Sequence, residues 1–334
     1  MLTVRRLGYL ALLVGFAQVV FGAVVRITGS GMGCGDHWPD CFGALTPGHI
    51  VRDGSGVVVL TGGPNLLVEI SHRYGAAALS LTIIALAVAA WVKRNEPGVS
   101  GPGGVLRPSL LAILLVIIAA LFGAVTVKMQ LQPLVVAAHL AIAMSLLAVL
   151  VVAVVRAGGF GSATVPARYN RTLRSARAAA GLTFLALIFG ALTANTSGAA
   201  TACQGFPWCM VTAESGPPLY IQVTHRIIAF LLLGHLIGIV VGVRKRSETR
   251  AVRTAAWTAL GVVTIQIIVA AAMVEMHLPS TLRSLHQAVG TALWISVVTL
   301  TALAAGTSAM TDIERIVYES PSRGEFATPE GVST

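Results

Sequence analysis

Eight apolar runs, each long enough to cross a bilayer as a helix, dominate this 334-residue chain. A helix rises about 1.5 Å per residue, so about 20 residues span a hydrocarbon core. The runs are read near 7–27, 69–92, 108–128, 134–155, 177–195, 219–243, 255–276 and 282–305. Lipid offers backbone groups no partner, which leaves helices or a closed barrel, and runs of this length specify helices. Only 11% of the residues are charged, against roughly 25% in a soluble domain. The expected fold class is therefore an all-α integral membrane protein with eight transmembrane helices. Breaks fall at Gly, Pro and charge clusters such as Lys93–Pro108 and Arg244–Arg253. No small-residue cleavage site follows the first run, which is read as a retained helix.

The net charge of +10 is a topology signal rather than a mark of nucleic-acid binding. With the N-terminus inside, 17 of the 23 Lys and Arg fall on cytoplasmic segments. Only Arg26, Arg52, Arg73, Lys128, Arg226 and Arg283 fall outside. This positive-inside bias places both termini in the cytoplasm. All four cysteines then lie outside, Cys34 and Cys41 in the first outer loop, Cys203 and Cys209 in the third. An oxidising compartment permits disulfides there. Structural staples and redox-active thiol pairs are both open readings.

The chain also repeats itself. Gly22-Ala-Val-Val-Arg-Ile-Thr-Gly29 ahead of Cys34 matches Gly190-Ala-Leu-Thr-Ala-Asn-Thr-Ser197 ahead of Cys203. Trp38-Pro-Asp-Cys41 matches Phe206-Pro-Trp-Cys209, and Ser71-His-Arg73 matches Thr224-His-Arg226. Four helices per repeat is an even number, so the two units run parallel, related by an axis along the membrane normal. Four regions follow: an N-terminal four-helix half at 1–155, a cytoplasmic linker at 156–176, a C-terminal four-helix half at 177–305, and a tail at 306–334 whose composition reads as disordered.

Ionisable side chains within a membrane are costly and read as functional. His72 and His139 lie in the first half, His225 and His286 in the second, all a short way inside helix starts. Neutral imidazole supplies axial ligands to haem iron, and facing helices of a bundle build cofactor sites. Zinc would favour mixed ligands including cysteine, and here the cysteines lie in loops. Two haem sites are the better fit, with unrelated interhelical hydrogen bonds as the bland alternative. His37 and His49 read as solvated loop residues, His277 as interfacial, and His235 as an interhelical hydrogen-bond partner.

One difference separates the halves. Glu69 stands three residues before His72, where Gln222 stands three before His225. A pair at this spacing shares a helix face, so Glu69 is expected to look into the His72 cavity and serve as the catalytic carboxylate. The alternatives are a helix cap or an ion pair with Arg73. Arg26, Arg73, Lys128, Arg226 and Arg283 suit contacts to haem propionates at the outer interface, or snorkelling anchors.

These residues together resemble the haem A synthase family over about 5–305. The carriers are Arg26-Ile-Thr-Gly-Ser-Gly-Met-Gly-Cys34, Trp38-Pro-Asp-Cys41, Glu69-Ile-Ser-His-Arg73, Thr224-His-Arg226, His139 and His286. The resemblance implies an enzyme oxidising the ring methyl of haem O to a formyl group through a hydroxymethyl species, giving haem A for aa3-type oxidases. It implies that His72 and His139 bind the substrate iron with Glu69 beside the reacting methyl, and that His225 and His286 ligate one resident haem b. It implies a Cys34–Cys41 disulfide, with Cys203–Cys209 a second pair that some members lack. It also implies a multi-pass protein of the bacterial cell membrane with haem sites near the outer face. Partners expected on this reading are haem O, the lipid bilayer, haem O synthase and terminal-oxidase assembly factors. A homo-oligomer is left open. A dihaem b-type, quinone-linked electron-transfer protein and a four-helix-repeat transporter are the competing readings.

Overall fold

The structure, a computed structural model, describes residues 1–35, 38–39, 41, 50–52, 58–60, 63–162 and 170–306. His37, His49 and nearly all of the tail at 306–334 lie outside the described residues. Among the described residues eight α-helices make up the body: α1 (Leu2–Ile27), α2 (Gly63–Val92), α3 (Leu106–Lys128), α4 (Pro133–Arg156), α5 (Asn170–Asn195), α6 (Pro217–Lys245), α7 (Arg250–Glu275) and α8 (Ser280–Ala305). All eight are long and apolar enough to cross a membrane. Two short antiparallel ribbons, β1 (Ile50–Arg52) with β2 (Val58–Leu60) and β3 (Cys203–Gln204) with β4 (Val211–Thr212), belong to the α1–α2 and α5–α6 connections.

Several helices start earlier than the apolar runs suggest, because a polar first turn carries no hydropathy signal yet continues the helix. Helix α5 begins at Asn170, with Arg171, Arg174 and Arg177 in its opening turns. Helix α6 opens on Pro217, whose fixed φ suits the first helical turn. In α7 the Thr249 hydroxyl caps the start by accepting from the Val252 N–H at 3.4 Å. Helix α2 begins at Gly63, which leaves Glu69 well inside the helix rather than at its cap.

Helix α1 packs against α2 and α4, and α3 against α2 and α4. Helices α5 to α8 close a second ring with the same pattern, α5 on α6 and α8, α7 on α6 and α8. The rings meet through α4 on α8, α1 on α8 and α4 on α5. Exchanging one half for the other leaves this set of neighbours unchanged. The α3–α4 and α7–α8 hairpins also turn alike: Gln130 and Leu131 have φ of 50° and 58°, His277 and Leu278 of 59° and 63°.

Between lipid-like surfaces the hydrophobic effect adds little, so close packing of small residues holds helices together. Gly8 and Gly15 bring α1 onto α4, where an added Cβ would sit 3.1 Å from Val154 and 2.9 Å from Leu147. At the interface of the rings the buried Trp294 indole donates to the Met144 carbonyl at 2.7 Å. The ends of α1 and α5 also touch, as the Arg26 guanidinium donates to the Ala194 carbonyl at 3.1 Å. Both cysteine loops therefore sit at one end of the molecule. The opposite end gathers the chain start and the connections after α2 and α4, with Arg5 donating to the Gly158 carbonyl and Tyr9 accepting from the Phe160 N–H.

Candidate functional site

His139 and His286 each stand six residues beyond the first residue of their helix, Pro133 and Ser280. At about 1.5 Å per residue that is roughly 9 Å along the axis. His72 and His225 lie somewhat deeper, nine beyond Gly63 and eight beyond Pro217. All four helices begin at the cysteine-loop end, so the imidazoles form one layer.

Within that layer they pair by half. The His225 and His286 rings have centroids 6.4 Å apart at an interplanar angle of 77°. Two imidazoles bound to one metal from opposite sides, at about 2 Å each, have centroids about 6 Å apart. This pair fits a single shared iron. His72 and His139 belong to α2 and α4 of the first ring, where they lie against Gly22 and Gly123. Among the described residues no group of three or more His, Cys, Asp or Glu could hold a bare metal ion. A porphyrin supplies four of the iron's ligands itself, so two imidazoles per site suffice.

Glycines on the neighbouring helices admit the rings. A Cβ at Gly22 of α1 would lie 3.0 Å from His72 Cε1, and one at Gly190 of α5 would lie 3.0 Å from His225 Cε1. A Cβ at Gly123 would meet His139 Cε1 at 3.6 Å. The His225 Nδ1 is 2.9 Å from the Ala186 carbonyl. A carbonyl only accepts, so Nδ1 carries the proton and Nε2 keeps its lone pair for a metal. His139 faces the Ala119 carbonyl, and its buried Nδ1 makes no hydrogen bond of good geometry.

Glu69 is buried and does not stand free beside His72. Its carboxylate accepts from the Cys34 N–H at 2.8 Å and pairs with Arg73 at 2.5 Å. Arg73 also donates to the Pro39 carbonyl at 3.1 Å. The ion pair read from sequence as an alternative is thus present. Gln222 occupies the matching place with the polarity reversed, since its amide donates to the Ala200 carbonyl at 3.1 Å and to the Cys203 carbonyl at 3.4 Å. Arg226 donates to the carbonyls of Cys203 and Gly205, both at 2.7 Å. In each half the residue three before the histidine and the arginine one after it tether the cysteine loop to the helix.

Disulfides join Cys34 to Cys41 and Cys203 to Cys209. The first is buried against Leu66 and Ile70 of α2, one turn or less from Glu69. Arg26 lies at the junction of the halves, Arg283 begins α8 nearby, and Lys128 is exposed at the end of α3. His235 Nε2 donates to the Ser175 carbonyl, 2.9 Å away on α5, as an interhelical partner should. His277 is exposed in the α7–α8 turn.

Two residues escaped the sequence reading. The Gln18 amide nitrogen lies 3.0 Å from His72 Nδ1, and the Gln266 amide nitrogen lies 3.1 Å from His286 Nδ1. The signal that could have found them is a lone amide inside an otherwise apolar membrane run.

A family profile described as "Cytochrome oxidase assembly protein" (COX15-CtaA) matches residues 5–298. Similar proteins include a heme A synthase of Alkalihalophilus pseudofirmus, 29% identical over 244 residues, covering 72% of this chain and 75% of the relative. A heme A synthase of Bacillus pumilus is 28% identical, covering 68% of this chain and 71% of the relative. A heme A synthase of Lysinibacillus sphaericus is 27% identical over 277 residues, covering 79% and 83%.

Proposed function

This chain belongs to the COX15-CtaA family of cytochrome oxidase assembly proteins, and from that premise we propose that it is a haem A synthase. The reaction oxidises the ring methyl of haem O to a formyl group, in two successive two-electron steps through a hydroxymethyl species. The observation that carries the reading is the layer of two imidazole pairs with a buried carboxylate, Glu69, three residues before a histidine in the first half, where the second half has Gln222.

The two four-helix rings, α1–α4 and α5–α8, serve as the two haem-binding halves, with the cysteine-loop end outward and both termini cytoplasmic. His72 and His139 hold the iron of haem O; His225 and His286 hold that of one haem b. When bound, haem b supplies one-electron chemistry, and the protein's share is orientation, electrostatics and exclusion of water. His225 is prepared for this by the Ala186 carbonyl, which holds its ring with Nε2 free.

Glu69 is the catalytic residue of the first half. Its carboxylate can stabilise positive charge developing on the reacting carbon and can take the proton of an attacking oxygen, neither of which the Gln222 amide can do. The Cys34 N–H and Arg73 fix its position, so the first cysteine loop orients the carboxylate. Arg26 and Arg283, at the junction of the halves, and Arg73, Arg226 and Lys128 supply cations for the propionates.

The test is the haem content of the purified protein supplied with haem O. Its extracted haems should comprise haem B together with hydroxymethyl and formyl haem. A protein with no Soret band and no extractable haem would overturn the assignment.

A further inference from the structure

We propose that Gln18 and Gln266 are positioning residues that govern which ring nitrogen of His72 and His286 is presented to iron, so that each half has one haem ligand set by a glutamine side chain. The inference rests on the assignment of these imidazoles to haem.

The two ligands of a half are held differently. His225 is held by the Ala186 backbone carbonyl, and His139 faces that of Ala119. Their partners are held by side chains. The Gln18 amide nitrogen lies 3.0 Å from Nδ1 and 3.5 Å from Nε2 of His72, and donates to the His72 carbonyl at 2.8 Å. The Gln266 amide nitrogen lies 3.1 Å and 3.2 Å from the two ring nitrogens of His286.

The positions correspond across the halves. Gln18 and Ala186 each precede by four residues the glycine that touches an imidazole, Gly22 and Gly190. Gln266 and Ala119 each precede their histidine by twenty residues. A glutamine side chain in one half thus stands where the other has only a backbone carbonyl, which bonds the ring at His225 and makes no hydrogen bond of good geometry to His139. Each glutamine also has a seat cut for it one turn beyond the histidine. A Cβ at Gly75 would collide with the Gln18 Oε1, and one at Gly290 would press on the Gln266 amide nitrogen at 3.2 Å.

The chemistry of the holders differs. A carbonyl accepts only, which commits the ring to Nδ1–H and leaves Nε2 for the metal. An amide carries a donor and an acceptor on one group, and half a turn exchanges them. Were iron held at Nε2 of His286, the Gln266 amide oxygen would accept from Nδ1–H; at His72 the same half-turn would give up the Gln18 bond to the His72 carbonyl. The Gln266 Oε1 is buried with no partner, so that half-turn would satisfy an otherwise orphaned acceptor.

The test is the reduction midpoint of the resident haem in the whole protein carrying Gln266→Glu or Gln266→Leu. A carboxylate accepts more strongly from Nδ1–H, enriches the ligand and favours ferric iron, whereas leucine removes the acceptor. The midpoint should fall for Gln266→Glu and rise for Gln266→Leu, with both low-spin in the ferric form. The corresponding Gln18 variants should shift the midpoint of bound haem O in the same order and leave the resident haem unmoved. Should the leucine variant fail to fold, the glutamate variant, matched in shape, decides alone. A Gln266→Glu midpoint equal to or above the parental value would defeat the proposal. Absence of haem from the parental protein would instead defeat the assignment beneath it.

Discussion

The halves of this protein share one scaffold and differ in a few polar atoms. Each ring of helices presents two imidazoles in the same layer, admits one of them beside a glycine of its first helix, and ties a cysteine loop to the helix of its first histidine. In the first half that tie is a carboxylate accepting from the Cys34 N–H; in the second it is an amide donating to the Cys203 carbonyl. Loop attachment therefore does not require a carboxylate, since Gln222 and Arg226 achieve it by donating to carbonyls. Burying a carboxylate is expensive unless it is paired and hydrogen-bonded. A carboxylate kept where an amide would serve points to a task beyond attachment.

The comparison is broken most severely at the histidines. Replacing His225 or His286 with Ala should remove the resident haem altogether, while His72→Ala or His139→Ala should keep that haem and lose binding of haem O. Pyridine haemochrome content with and without added haem O checks both, and loss of the same haem from all four variants would contradict the division of labour. Crowding the glycines comes next. Gly22→Val should displace His72, and Gly190→Val should displace His225, since even a Cβ would stand at 3.0 Å from either ring. Overpacking of this kind costs about 1–3 kcal/mol, so haem affinity should fall roughly 5- to 150-fold, each in its own half. Titration of each site with its haem measures this.

Smaller effects sharpen the contrast at the loops. Opening either disulfide releases a short loop and should cost roughly 2 kcal/mol of local stability. Cys34→Ser with Cys41→Ser should lower turnover, because that loop orients Glu69. Cys203→Ser with Cys209→Ser should lower only the temperature at which the resident haem is lost. Equal turnover losses in both would remove the link between the first loop and the carboxylate. Smallest is Trp294→Phe, which deletes one hydrogen bond between the rings and should cost about 1 kcal/mol, read as a modest drop in thermal midpoint with haem content unchanged.

The apolar runs made the eight helices legible, because lipid forces backbone bonds inside each segment. Their starts were less so. Asn170 and Gly63 open helices through polar or mixed turns, which hydropathy does not mark. The four histidines stood out as ionisable groups in apolar surroundings. Glu69 stood out likewise, and its pairing with Arg73 followed from an i, i+4 spacing. Its bond to the Cys34 N–H could not be foreseen, since every residue but proline carries that donor. The same holds for the Ala186 carbonyl that holds His225. Gln18 and Gln266 were visible as letters, but only the fold brings each against its imidazole.

The central claim is that the first half transforms a haem and the second keeps one, with Glu69 marking the difference. Replacing Glu69 with Gln gives the first half the second half's side chain at that position. Chromatography of the haems extracted from Glu69→Gln protein supplied with haem O reads the outcome directly. The account predicts haem B at the parental level, unconverted haem O, and formyl haem reduced by about 10²-fold or more. Formyl haem at the parental level would contradict it.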